Sequence, residues 1–221
     1  MTDISKYIGT DLERAVVVVG GGGHAKVAIE ALRFSGWRVV GCTDFDSGID
    51  AVAGAKLLGA DDLLPEIYAA GVRFAFPALG GNALRERKGH ELRQIGFDLP
   101  NAVGPFAAVS PSARIGVGVA IFAGAVINAE SVVEDFAIIN TNASVDHDCR
   151  IGRAAHVAPG SALAGCVTVG ERSFVGAGTS VIPGIVIGED AVIGAGSVVV
   201  RNVPSNTTAL GVPARAIDGS R

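Results

Sequence analysis

The sequence predicts two parts in one chain: a small parallel α/β module, then an all-β coil of short strands wound into a triangle. Three observations predict this. Strand-like and helix-like stretches alternate through the first hundred residues around a run of four glycines. Aliphatic residues then recur every six positions. Composition agrees, with 31 glycines and 5% aromatics in 221 residues, a mixture that suits β structure with tight corners better than a helix bundle. Apolar residues at 49% are enough for a substantial core and too many for a disordered chain.

Taken in chain order, residues 15–19 (AVVVV) read as a buried parallel strand. Gly20, Gly21, Gly22 and Gly23 follow, then His24 and an apolar helix that ends at Gly36. Residues 37–43 (WRVVGCT) read as a second strand stopping at Asp44, 61–70 as a helix, 73–79 as a third strand and 82–95 as another helix. This alternation predicts a sheet covered by helices over residues 1–100. Gly20-x-Gly22-x-x-Ala25, placed between strand and helix, is the Rossmann pattern: glycine tightens the turn and lets a diphosphate reach the N–H groups at the helix start. Asp44 follows at the distance where an acid meets a ribose. Only one mononucleotide half fits in this length, so the expected ligand is a nucleotide diphosphate carrying something shorter than a second nucleotide, such as a sugar.

Stepping by six from Val103 to Val199 meets Val, Ile or Leu at all seventeen positions, where chance from the segment's own composition would give about five. The fifth place of each hexad is mostly small, as in Ala113, Ala125, Ala143, Cys149, Ser161 and Ser173. Six is a short strand plus a corner, so three hexads close a triangle of 18 residues. The aliphatic place fills the interior of the prism. Gly116, Gly152, Gly170, Gly176, Gly188 and Gly194 are expected to permit the bends. The coil is expected over residues 101–221.

The repeat resembles the hexapeptide-repeat acyltransferases, whose fold is the left-handed parallel β-helix, and Ile193–Ile217 is similar to that family's C-terminal segment. Together with the N-terminal module the chain resembles the bacterial nucleotide-amino-sugar N-acetyltransferases and sialic-acid O-acetyltransferase-like proteins. The GxxGHxK motif stands as Gly20 to Lys26, and the Gly-Asn-Arg marker as Gly80-Gly81-Asn82-Ala83-Leu84-Arg85. The resemblance implies that Gly22, Gly23, His24, Asp44, Phe45 and Gly80 contact the nucleotide sugar. Phe45 departs from the acid usual beside the first Asp, which leaves UDP and GDP both open.

Of four histidines, His90 lies among charged residues on a helix and reads as solvated. His147 occupies the third place of its hexad, alongside Pro111, Asp135, Arg153 and Glu171, so it belongs to an exposed corner. Flanking acids, Asp146 and Asp148, favour its protonated form and raise its basicity, and one of them would fix the tautomer; spacing alone does not separate the two. Transfer of an acetyl group to an amine needs such a base. The resemblance implies that His147 is the general base, that Asp148 raises its basicity, and that Asn140 holds base or substrate. It further implies that His156 and Gly165 meet acetyl-CoA, Gly165 through its N–H near the thioester oxygen, and that Ala177 and Ala195 line the pantetheine arm. Arg201 and Arg215 are candidates for CoA phosphates.

A formal charge of −4 disfavours a nucleic-acid partner, and no apolar run approaches a membrane span. Asp3, Lys6 and Asp11 do not make a secretory signal, so a cytoplasmic location is expected. Cys42, Cys149 and Cys166 form no CxxC pair; Cys166 is expected to lack an adjacent base, which leaves direct transfer without an acyl-enzyme. The histidines are too few and too widely spaced for a catalytic zinc, so no metal is expected. The expected protein is an acetyl-CoA-dependent N-acetyltransferase acting on the 4-amino group of a nucleotide-linked 4-amino-4-deoxy sugar, working as a homotrimer with sites between neighbours. An O-acetyltransferase of sialic-acid type and a non-catalytic nucleotide-binding scaffold are the alternatives.

Overall fold

The computed structural model describes residue 8, residues 12–45, residue 48 and residues 50–217. Asp3, Lys6 and Asp11 lie outside the described residues. The chain divides into two compact units, Met1–Gly104 and Pro105–Arg221. The division falls a few residues beyond position 100 because the Ser35 hydroxyl donates to the Val103 carbonyl (2.7 Å) and accepts from its N–H (3.1 Å), tying that stretch to the first unit.

In the first unit, β1 (Ala15–Val19) is an interior strand, wholly buried and flanked by β2 (Arg38–Thr43) and β5 (Phe74–Pro77), both parallel to it. Helix α1 (Gly23–Phe34) follows β1, α2 (Leu64–Ala69) precedes β5, and α3 (Asn82–Ile95) follows it. Two strands were not foreseen. β3 (Ala51–Val52) and β4 (Ala55–Gly59) form a hairpin turned by Ala53 (φ 45°) and Gly54 (φ 71°), and β4 extends the sheet beside β2, giving the order β3-β4-β2-β1-β5. The loops after β1, β2 and β5 therefore converge at the carboxyl ends of adjacent parallel strands, where open α/β sheets bind ligands.

The second unit is a three-walled left-handed β-helix. Paired residues in each wall are 18 apart: Val126 with Ala108 and Ser144, Val132 with Arg114 and Arg150, Ile138 with Ala120 and His156. The aliphatic place is buried from Ile121 to Val199, whereas Val109, in the first coil, is exposed. Buried hydroxyls at the small place are satisfied by the next coil: Ser131 donates to the Asp146 carbonyl (2.6 Å), Ser161 to that of Gly176 (2.8 Å) and Ser173 to that of Gly188 (2.5 Å). The last coil is tighter, with Val192 pairing with Thr208, and the antiparallel pair Thr208–Gly211 and Ala214–Ala216 continues that wall.

The glycine expectation needs correction. Left-handed backbone falls at the fourth place of the hexad, often on non-glycine residues such as Phe136 (φ 61°), Asp148 (φ 57°) and Cys166 (φ 61°). Gly116, Gly152 and Gly170 are not bent in this way. A Cβ on each would lie 2.6, 2.7 and 2.5 Å from the backbone nitrogen of Asp135, Glu171 and Glu189 in the next coil. They are glycine because neighbouring coils approach too closely for a side chain.

The 18-residue register makes each prism edge a column with its own chemistry. One edge carries Ala129, His147, Gly165 and Pro183. A second carries Asp135, Arg153, Glu171 and Glu189, laced by ion pairs such as Arg153–Glu171 (2.9 Å) and Arg172–Asp190 (2.8 Å). The third carries Thr141, Pro159, Ala177 and Ala195, of which both alanines are exposed.

Candidate functional site

At the His147 edge the ring Nδ1 lies 2.8 Å from Asp148 Oδ2. This contact separates the two flanking acids. Asp146 Oδ1 is instead occupied by the Asn128 side-chain amide (2.9 Å) and the His147 backbone N–H (2.8 Å), bonds that hold its carboxyl below the ordinary value. The hydrogen bond to Asp148, then the Asp146 charge, raises the imidazole above the ordinary histidine value. With Nδ1–H directed at a carboxylate, Nε2 carries the lone pair.

Gly165 lies directly against this ring. A Cβ there would come 2.5 Å from Cε1 and 2.6 Å from Nε2, so glycine gives the imidazole its place. Among the described residues the Gly165 N–H has no backbone acceptor. A groove of about 410 Å³ opens on the wall ending at this edge, lined by Asn128, Ser144, Asp146, Ala162, Ala164 and Ser180. The expectation that Cys166 lacks a neighbouring base is overturned. Donor atoms of His147, Asp148 and Cys166 lie within 4.8 Å of one another, because residue 166 is one coil beyond residue 148.

The structure does not bring Asn140 to His147. Its amide lies 3.0 Å from Nε2 of His156, and its Oδ1 accepts from the Thr141 N–H (2.8 Å). His156 is buried on the wall leading to the edge of small residues, with its ring edge-on to Phe174 at 5.1 Å. Within one chain the predicted residues thus form two groups: His147, Asp148 and Gly165 on one edge, and Asn140, His156, Ala177 and Ala195 on or beside another.

The first unit holds a cavity of about 310 Å³ at the carboxyl end of its sheet. Asp44 and Phe45 line it, with Gly20, Thr43, Asp61, Leu79, Arg87 and Lys88. Gly22 and Gly80 lie on the two loops that also supply Gly20 and Leu79, and Gly23 and His24 open helix α1 directly after the first of them. Asp44 Oδ2 accepts the Gly21 N–H at 2.5 Å, tying the β2 end to the glycine loop. Gly20 (φ 112°) is demanded by the turn, and a Cβ there would lie 2.8 Å from the Ala78 carbonyl oxygen. At Gly22, Gly23 and Gly80, by contrast, a Cβ would meet nothing within 4 Å. Phe45 is 91% exposed.

Thr43, Asp61, Arg87 and Lys88 were missed by sequence reasoning, which read His90 and its charged helix neighbours only as solvated. Thr43 donates to Asp61 (2.7 Å), and Lys88 pairs with Asp61 (2.8 Å), so helix and sheet meet through one acid. Arg85 is buried beneath the β5 loop and donates to the carbonyls of Leu79 (2.9 Å) and Gly80 (3.2 Å) and to Asn82 Oδ1 (2.9 Å). Burial pulls the Arg85 guanidinium down to about 9. Burial, then the Arg85 charge, lowers His24 to about 4, so it is neutral near pH 7.

A parallel module with a cavity over its glycine loop, joined to a β-helix bearing an exposed histidine–carboxylate pair, defines a hexapeptide-repeat transferase with a nucleotide-binding module. The PglD N-terminal domain matches residues 15–92, and the bacterial transferase hexapeptide (six repeats) matches residues 166–201. PerB from Caulobacter crescentus, solved with CoA and GDP-perosamine, is 52% identical over 92% of this chain and 97% of that one, with a TM-score of 0.89. Variants of the same perosamine N-acetyltransferase with a histidine replaced by Asn or Ala have also been solved with both ligands. The acetyltransferase domain of PglB from Neisseria gonorrhoeae, solved with acetyl coenzyme A, is 35% identical over 92% of this chain and 99% of that one, with a TM-score of 0.85. The chain belongs to the hexapeptide-repeat nucleotide-sugar N-acetyltransferases. Its activity is acetyl-CoA-dependent N-acetylation of a nucleotide-linked 4-amino sugar. Among the described residues no helix is long and apolar enough to cross a membrane.

Proposed function

We propose that the acceptor is a GDP-linked 4-amino-4-deoxy sugar of the perosamine type and that His147 is the base that takes its amine proton. The observation that carries the catalytic half is the exposed His147 ring, tied through Nδ1 to Asp148 and laid on Gly165. The choice of GDP is supported by the 52% identity to PerB. The first unit takes the nucleotide: the Gly22–Gly23 turn leaves room at a helix N-terminus for the diphosphate, Arg87 and Lys88 add positive charge, and the exposed Phe45 offers a ring face to the base.

In the transfer the sugar amine attacks the thioester carbonyl. A C–N bond forms as Nε2 of His147 accepts the ammonium proton. The C–S bond then breaks, and the CoA thiolate leaves and is protonated. The Gly165 N–H is the donor to the oxyanion, a contact of a kind worth about 3 kcal/mol. Ala177 and Ala195 leave a flat path for the pantetheine arm, and His156, fixed by Asn140, belongs to the acetyl-CoA side. Because these two groups of residues occupy different edges, the complete site is formed where the His147 edge of one copy faces the small edge of another, in a homotrimer in the cytoplasm. Assay with acetyl-CoA and either a GDP-linked or a UDP-linked 4-amino sugar tests the reading. The GDP sugar is expected to be preferred, and His147→Ala to lower kcat about 10²-fold with CoA affinity kept. A preference for UDP, or unchanged turnover in the variant, would overturn the corresponding half.

A further inference from the structure

We propose that His147, Asp148 and Cys166 form a binding site for a soft divalent cation of the zinc class, and that its occupation blocks acetyl transfer. The site is a product of the register. Asp148 and Cys166 hold the same corner place one coil apart, both in left-handed backbone (φ 57° and 61°). The Cys166 N–H donates to the His147 carbonyl at 2.9 Å, which fixes the spacing of the two turns. Gly165 leaves the imidazole between them. One imidazole nitrogen, one carboxylate oxygen and one sulfur then lie within 4.8 Å of one another.

Those three donors are the ones zinc selects, and three protein ligands leave a fourth position for water. With metal–ligand bonds of about 2.0–2.3 Å, tetrahedral donors stand roughly 3.3–3.8 Å apart. A pair at the 4.8 Å limit has to close by about 1 Å, and with Nδ1 as ligand its 2.8 Å contact to Asp148 has to open by about 0.5 Å. Side-chain rotation supplies this, since the His147 and Asp148 side chains are more than half exposed and Cys166 is exposed. The thiol gives up its proton to solvent as the metal–sulfur bond forms. Cys42 and Cys149 do not compete, because both are buried and burial raises their thiols. A cation held here takes up an imidazole nitrogen and the Asp148 carboxylate that orients the ring. Binding itself does not depend on His147 being the base; the inhibitory consequence does.

The test uses the full chain, reduced with a non-chelating phosphine. Added Co²⁺ is expected to give a thiolate-to-cobalt charge-transfer band saturating at one ion per chain, displaced by Zn²⁺ and absent in Cys166→Ser. Zn²⁺ is expected to stop turnover reversibly on chelation, with Cys166→Ser at least about tenfold less sensitive while its metal-free turnover matches that of the parent. No such band, or a band and inhibition that survive in Cys166→Ser, would overturn the site. A full band with undiminished turnover would leave the site standing and overturn His147 as the base.

Discussion

The glycines of the two units look alike in sequence and are there for opposite reasons. In the β-helix, Gly116, Gly152 and Gly170 are crowded: the next coil's backbone stands within 2.7 Å of where a Cβ would be. In the α/β unit, Gly22, Gly23 and Gly80 face space empty to at least 4 Å. The first group is required by the fold. The second is not crowded by the chain, and the proposed nucleotide site is the reading that would use that space. Gly165 belongs to neither group, since what crowds it is the candidate base itself.

This contrast can be broken at each kind of glycine. The largest effect is expected at Gly165→Ala. The methyl displaces an exposed ring and no backbone, so kcat should fall by about 10²-fold while the thermal midpoint holds; a loss of stability with normal turnover would put Gly165 among the crowded glycines. Gly152→Ala should do the reverse, costing about 2 kcal/mol of stability in denaturant titration through overpacking while KM for both substrates stays put. Gly23→Ala should weaken nucleotide-sugar binding about tenfold, read as KM, although alanine in the first turn of α1 raises helix propensity and so holds or slightly improves stability. If Gly23→Ala binds normally, the open-space argument fails. The smallest expected change sharpens the site. Asp148→Asn replaces the carboxylate that most raises His147 with a neutral acceptor, so the acid limb of kcat/KM, where the base is lost to protonation, should move to lower pH. An unmoved limb would assign it to another group.

Much of the β-helix was legible because its period is stated seventeen times, and each aliphatic place reports the same interior. The exposed corner position of His147 followed from that arithmetic. What neighbouring columns do to one another did not follow from reading along the chain. Cys166 comes beside His147, and Asn140 beside His156, across separations of 19 and 16 residues, which only the stacked register brings together. In the α/β unit, α3 was readable from its pattern, but β3 and β4 were not: two and five residues long, with Ala, Lys and Gly among them, they carry little β preference, and β4 is held by pairing with β2 and β3 by pairing with β4. The Asp61–Lys88 contact that shapes the cavity joins two elements distant in sequence, so Lys88 read simply as one more charge on a helix.

The winding also turns chain length into an angle. Removing six residues between Asp148 and Gly165 would rotate everything above by a third of a revolution and carry the glycine out from under the imidazole. Inserting eighteen would keep the azimuth, with a different residue in the glycine's place. Point substitutions can drift along any one column, but a change of length in this stretch keeps the imidazole's column aligned only in whole revolutions.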